Sequence, residues 1–167
     1  LNQKRDSGLV ALLNEYASFI RNSLRTYERD QFRQEELYQE VALALWRALP
    51  TFRGEASHRT WIARITHNIG VSHIRRKMSR PTTDLLEDIH ISDHDSPEKE
   101  SQHRDQKRAL LRAIGKLPLG LQQCVTLHLE DFGNREIGEI LGLSEGAVAV
   151  RLTRARAGLS KLMEQQK

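Results

Sequence analysis

Three arginines, Arg151, Arg154 and Arg156, stand in the stretch "EGAVAVRLTRAR", and their neighbours keep a helical beat. Val148, Leu152, Ala155, Leu159 and Leu162 recur at steps of four, three, four and three, which lays one apolar stripe along a helix. Arg151 and Arg154 fall off that stripe and are expected to project outward, with Arg156 on a flank. Just upstream, Ile137, Ile140 and Leu141 make a shorter apolar face. Gly142 can take the left-handed conformation that ends a helix, and Ser144 suits the N-cap of the next one. Two short helices crossing at a tight glycine turn read as a helix-turn-helix over residues 134–153. A plain helical hairpin with solvated arginines has the same turn. The cationic outer face favours a helix that enters the major groove of DNA.

A second basic group lies earlier. Between Arg53 and Arg80 seven basic residues oppose the single acid Glu55, a local net charge of +6. Between Asp84 and Asp105 eight acids meet only Lys99 and Arg104, a net of −6. The overall charge of +4 conceals this zoning. Cys124 is the lone cysteine, which excludes an internal disulfide and a multi-cysteine zinc site. Its helical context reads as an inert core thiol, and a reduced, cytoplasmic setting fits. No apolar run approaches membrane-spanning length, and no charged-then-apolar leader opens the sequence, so direct membrane insertion is not expected. The start at Leu1 suggests a trimmed chain.

The elements that must carry these groups follow from apolar period. Leu9, Leu12, Leu13, Tyr16, Phe19, Ile20 and Leu24 predict a first helix, which "RDQFRQEE" (Arg29–Glu36) is expected to break. Leu37, Val41, Leu45 and Ala48 predict a second helix, Glu36–Leu49, stopped at Pro50. "TFRGEAS" (Thr51–Ser57) reads as a loop. A third helix runs from Arg59 through Trp61, Ile62, Ile65, Ile69 and Ile74 to Arg75, Arg76 and Lys77, and Pro81 closes it. Residues 81–106, acidic and poor in apolar side chains apart from "LLEDIHI", read as a flexible linker. Helical pattern resumes at Ala109, with Pro118 placed for a first turn and Leu121, Val125 and Leu129 beyond it. No useful strand alternation occurs. The expected fold is all-α: two small helical domains, 1–80 and 107–167, joined by the acidic linker.

Laid out in this order, the chain resembles bacterial RNA polymerase sigma factors of the extracytoplasmic-function group of the sigma-70 family. The resemblance is carried by "EELYQEVALALWRALPTFRGEASHRTWIARITHNIGVSHIRRK" and "LPLGLQQCVTLHLEDFGNREIGEILGLSEGAVAVRLTRAR". It implies that domain 1–80 binds core RNA polymerase and reads and melts the minus-ten element. Domain 107–167 is then implied to read the minus-thirty-five element. For polymerase docking it points to Glu36, Leu37, Glu40, Val41, Ala44, Arg47 and Leu49. The acids near the start of that helix also suit its positive end, so an ordinary amphipathic helix accounts for the same pattern.

For the melted minus-ten strand the resemblance implies Phe52, Arg53, Gly54 and Glu55 in the loop and Asn68 on the following helix. A flipped base costs a few kcal/mol of stacking, which a pocket must recover. Arg64, Arg75, Arg76 and Lys77 suit backbone phosphates. Trp61 is read as core, because it shares the stripe of Ile65 and Ile69. His58 stands where the family often carries an aromatic. For the minus-thirty-five duplex the implied positions are Ser144, Ala147, Ala149, Val150, Arg151, Thr153 and Arg154. Ala149 and Val150 replace more polar family residues, so readout is expected to lean on the arginines and on apolar contact with thymine methyls.

Seven histidines, with "HISDHD" (His90–Asp95) among them, raise a metal site. His90 and His94 stand four apart with Asp93 between them, but their segment reads as a linker rather than the helix such a zinc site uses, so neither metal nor cofactor is expected. No Ser-His-Asp or paired-carboxylate set falls on facing elements, so an enzyme is not expected either. The alternative is a conventional helix-turn-helix regulator with an N-terminal interaction domain, against which the large basic middle argues. The family further implies an anti-sigma partner, often membrane-anchored, that clamps the two domains.

Overall fold

A computed structural model describes residues 2–79 and 99–165. Most of the expected linker, with "LLEDIHI" and "HISDHD", lies outside the described residues. Within them the chain is all-α, with seven helices: α1 (Asn2–Tyr27), α2 (Gln31–Ala48), α3 (His58–Ser79), α4 (Lys99–Gly115), α5 (Leu119–Leu129), α6 (Asn134–Leu141) and α7 (Glu145–Glu164), plus a 3-10 turn at Leu49–Thr51.

Two boundaries differ from the expectation. The polar run "RDQFRQEE" is not a break beyond Asp30, because the Asp30 carboxylate caps α2 by accepting from the Arg33 amide at 2.8 Å. One capping hydrogen bond on a first turn outweighs the polar composition, since Gln31 and Phe32 simply face solvent. At the other join, α4 begins at Lys99, so the last part of the expected linker is helix.

Helices α1, α2 and α3 enclose one core around Leu12, Ile20, Leu24, Leu37, Val41, Leu45 and Ile62, with Trp61, Ile65 and Ile69 half-buried against it. The α1–α2 turn is held by Glu28, whose side chain is 2% exposed. It accepts from the amides of Arg29 and Asp30, from His73 Nε2 at 2.7 Å and from Lys77 Nζ at 3.4 Å. Burial by itself would raise the Glu28 carboxyl. The hydrogen bonds from His73 and the amides, with the Lys77 charge, hold it instead at about 2.

Helices α4 to α7 enclose the second core, built on Ile114, Leu127, Phe132, Ile137, Val148, Leu152 and Ala155. Gly142 ends α6 with φ 69°, the left-handed cap foreseen from the sequence. Gly138 is needed for a different reason: a Cβ there would lie 2.5 Å from the Leu143 carbonyl oxygen. The turn folds back that closely because the Leu143 amide donates to Gly138 O at 2.9 Å. Ser144 then caps α7, accepting from the Ala147 amide at 3.1 Å.

The sequence suggested two units free to move apart, whereas here they share a seam. Helix α1 packs on α4 and α5, and α3 packs on α5 and α6. Phe19 of α1 meets Phe132 with ring centroids 5.8 Å apart, and Ala63 of α3 joins the second core. Gln122 donates to the carbonyl of Thr26, and the hydroxyls of Thr126 and Thr26 bond at 2.9 Å. These partners are polar, so no apolar period announced them.

Candidate nucleic-acid interface

Two exposed faces collect the candidate residues. On α3, Arg64, Asn68 and Arg75 are spaced four and seven apart, share one side of the helix and are exposed. The loop before α3 turns at Gly54, φ 71°, with Arg53, Gly54 and Glu55 exposed. Phe52 lies half-buried between two rings, with His58 at 4.9 Å and Trp61 at 4.6 Å between centroids, tilted by 32° and 35°. Trp61 therefore both packs on the core and backs the loop, and His58 is the outer ring of the stack.

The remaining cations of this stretch are differently placed. Arg76 donates to Glu40 of α2 at 3.2 Å and Lys77 reaches Glu28, so both also brace the first unit. The Arg76–Glu40 pair is about half exposed on each side and contributes little stability.

On α2 the outward face carries Glu36, Glu40 and Arg47, with Ala44 and Leu49 half-buried. Leu37 and Val41 require correction as surface residues: they are 2% and 0% exposed and belong to the core. Their burial follows from the i, i+4 stripe that also holds Leu45. The apolar side chains on the open face are instead Phe32 and Leu43, 73% and 46% exposed. Phe32 was hidden from sequence reading by the polar run around it.

On α7 the open face presents Ala149, Val150, Thr153 and Arg154, with Ala147 half-buried near the cap. Thr153 donates its hydroxyl back to Ala149 O at 3.0 Å. Arg151 requires a second correction. Rather than projecting outward it is half-buried and leans over α5, with Nη1 3.1 Å from where a Gly120 Cβ would stand. Burial pushes the Cys124 thiol up, and the nearby Arg151 opposes that shift. The glycine notch leaves room for the guanidinium, an arrangement spacing alone cannot reveal.

Sequence reasoning also passed over Arg59 as a site residue. It is half-buried at the seam, with its guanidinium 4.0 Å from the centroid of the Phe132 ring and donating to the carbonyl of Glu130. Arg64 likewise donates across the seam, to Glu139 O at 3.0 Å.

An all-helical chain with a basic, aromatic-flanked face on one unit and a helix-turn-helix on the other defines a two-part DNA-binding protein. Comparison with known proteins gives its family. The Sigma-70 region 2 model matches residues 12–80 and the Sigma-70, region 4 model matches residues 107–159. The ECF RNA polymerase sigma-E factor of Haemophilus influenzae is 31% identical over 131 residues, 72% of this chain and 69% of that one. The RNA polymerase sigma-H factor of Pseudomonas aeruginosa is 26% identical over 171 residues, 96% and 88% of the two chains.

Among solved structures, CnrH in complex with the cytosolic domain of CnrY has a TM-score of 0.73 at 22% identity, covering 97% of this chain and 91% of that one. The sigma factor RpoE in complex with the anti-sigma factor NepR from Bartonella quintana has a TM-score of 0.69 at 18% identity, covering 97% and 98%. These two establish likeness of fold. The chain belongs to the extracytoplasmic-function group of the sigma-70 family, and it is a promoter-directing sigma factor.

Proposed function

We propose a division of labour between the two units, in which 1–80 engages core RNA polymerase and the melted minus-ten strand and 107–167 reads the minus-thirty-five duplex. The observation that carries it is the exposed row Arg64, Asn68 and Arg75 beside the ring-backed loop Phe52–Glu55. Phosphates run along the arginines, Asn68 offers an amide to a base edge, and the loop receives an unstacked base. On α7, Arg154 makes base-edge hydrogen bonds, while Ala149 and Val150 lie against thymine methyls. The Ser144 hydroxyl donates to a backbone phosphate at the helix N-terminus, in the first turn that Ala147 closes by its amide bond to Ser144.

Polymerase docks on the outer face of α2 through Glu36, Glu40 and Arg47, with Phe32 and Leu43 supplying apolar area and Ala44 and Leu49 its edge. Leu37 and Val41 act by fixing that face from inside. No helix among the described residues is long and apolar enough to cross a membrane. The protein works in the cytoplasm, performs no chemistry of its own, and is restrained by an anti-sigma partner that covers the same α2 face. Support for this partner comes from a neighbour of like fold, the sigma factor RpoE, which was solved with the anti-sigma factor NepR bound.

A charge swap tests the docking face. Glu40→Lys is expected to weaken association with core polymerase on a native gel. Because Glu40 also pairs with Arg76, Glu40→Lys/Arg76→Glu rebuilds the internal pair in reverse. The double variant should still bind core poorly. Recovery of wild-type binding would assign Glu40 to internal bracing and refute docking through this face.

A further inference from the structure

The seam between the two units engages arginines that the proposed function needs for DNA. Arg59 and Arg64, both on α3, each donate to a main-chain carbonyl of the second unit: Glu130 O at the C-cap of α5 and Glu139 O within α6. Carbonyls at a helix C-terminus carry partial negative charge, so the end of α5 offers Arg59 a weak copy of a phosphate. We propose that this seam is a latch: the chain closes on itself through Arg59 and Arg64, and nucleic-acid phosphates open it by taking those same arginines. Arg59 thereby becomes a further phosphate ligand of the minus-ten strand. The inference rests on the division of labour given above.

The composition of the seam favours parting. Along α1 the residues that reach the second unit include Phe19, Asn22 and Thr26, at steps of three and four on one helical face. Thr26 is bonded to Gln122 and Thr126, and Asn22 hydrogen-bonds Glu130. On α3 Arg59, Ala63 and Arg64 reach the second unit. A permanent interface would fill such a face with large apolar side chains. This one buries the hydroxyls of Thr26 and Thr126 and the amide of Gln122 beside the Phe19–Phe132 contact. Polar groups buried there regain water on opening, which lowers the cost of separation.

The exchange has a definite direction. A guanidinium bonded to a neutral carbonyl gains less than one bonded to an anionic phosphate, where the bond is charge-assisted and can be bidentate. DNA therefore binds the open form better and shifts the population toward it, without needing a trigger elsewhere. Without DNA or polymerase, the closed form keeps Arg59 and Arg64 engaged at the seam, while Asn68, Arg75 and the loop stay exposed. The latch differs from an anti-sigma clamp, because its contacts are made by the two units themselves.

A reversible cross-link tests it. The Thr26 and Thr126 hydroxyls bond at 2.9 Å, close enough for a pair of cysteines at these positions to meet. Thr26→Cys/Thr126→Cys is made in a Cys124→Ala background, with each single-cysteine variant as control. The disulfide is expected to form readily in the free protein. The oxidised form should bind a fluorescent random-sequence single-stranded DNA more weakly by about tenfold, the scale of losing hydrogen bonds to charged groups. Reductant should restore binding, and Arg59→Ala should weaken binding by the reduced form.

Failure of the disulfide to form in folded protein would overturn the latch, as would an oxidised form that binds DNA as tightly as the reduced one. The underlying reading fails separately: reduced protein that folds but gives core polymerase no promoter-dependent transcription would refute it, whatever the cross-link does.

Discussion

His67 shows how much a single buried side chain can set. It is 1% exposed, hydrogen-bonded through Nδ1 to the Tyr27 hydroxyl, and its Nε2 has no partner. Burial depresses its pKa from 6.5 to about 3, so the imidazole is neutral in the folded protein. Tyr27 is pushed in the opposite direction by the same burial, well above its ordinary range. A depressed pKa means that the unfolded chain takes up a proton before the folded one does. Stability is then unaffected by His67 above pH 6.5 and falls as pH drops from 6.5 toward 3, by roughly 1.4 kcal/mol per pH unit. Urea melts at pH 7 and pH 5 should show this slope in the wild type and a shallower one in His67→Gln; equal slopes would contradict it. Glu28, held at about 2, loses its contribution only below 4.5, and so does not enter the comparison of pH 7 with pH 5. At this scale the sequence disclosed residue types but not surroundings. The basic stretch was legible, whereas Arg59 at a helix carbonyl and Arg151 in a glycine notch were not, since both depend on side chains distant in the chain.

Helices were the most legible level, because each is specified by neighbours along the chain. The α7 stripe, the Ser144 cap and the left-handed Gly142 could all be read before the structure was known. The start of α2 could not, because an Asp cap is one residue and the polar run around it spoke more loudly. Gly138 was silent too: nothing local shows that the Leu143 carbonyl folds back onto it. A methyl group there forces the α6–α7 turn open, and overpacking of this kind costs about 1–3 kcal/mol. Gly138→Ala should therefore lower the melting temperature and abolish binding to minus-thirty-five duplex, with core-polymerase association through α2 retained. Unchanged duplex binding would mean that the turn relaxes without moving α7. Ala at Gly146, where a Cβ meets nothing within 4 Å, is the matched control.

At the scale of the whole molecule, the two-unit plan was legible and its closure was not, because the seam at Thr26, Gln122 and Thr126 is polar and leaves no apolar period to read. The central claim is that opening the strand and reading the duplex are separate tasks of separate units, α3 with its loop and α6–α7. The most direct test is permanganate and nuclease footprinting of the reconstituted holoenzyme on one promoter, for wild type, Asn68→Ala and Arg154→Ala. Asn68→Ala should lose permanganate reactivity of melted thymines while upstream protection persists. Arg154→Ala should weaken upstream protection by about 1–3 kcal/mol, the value of a bidentate base contact. Equal loss of both signals in both variants would contradict the account.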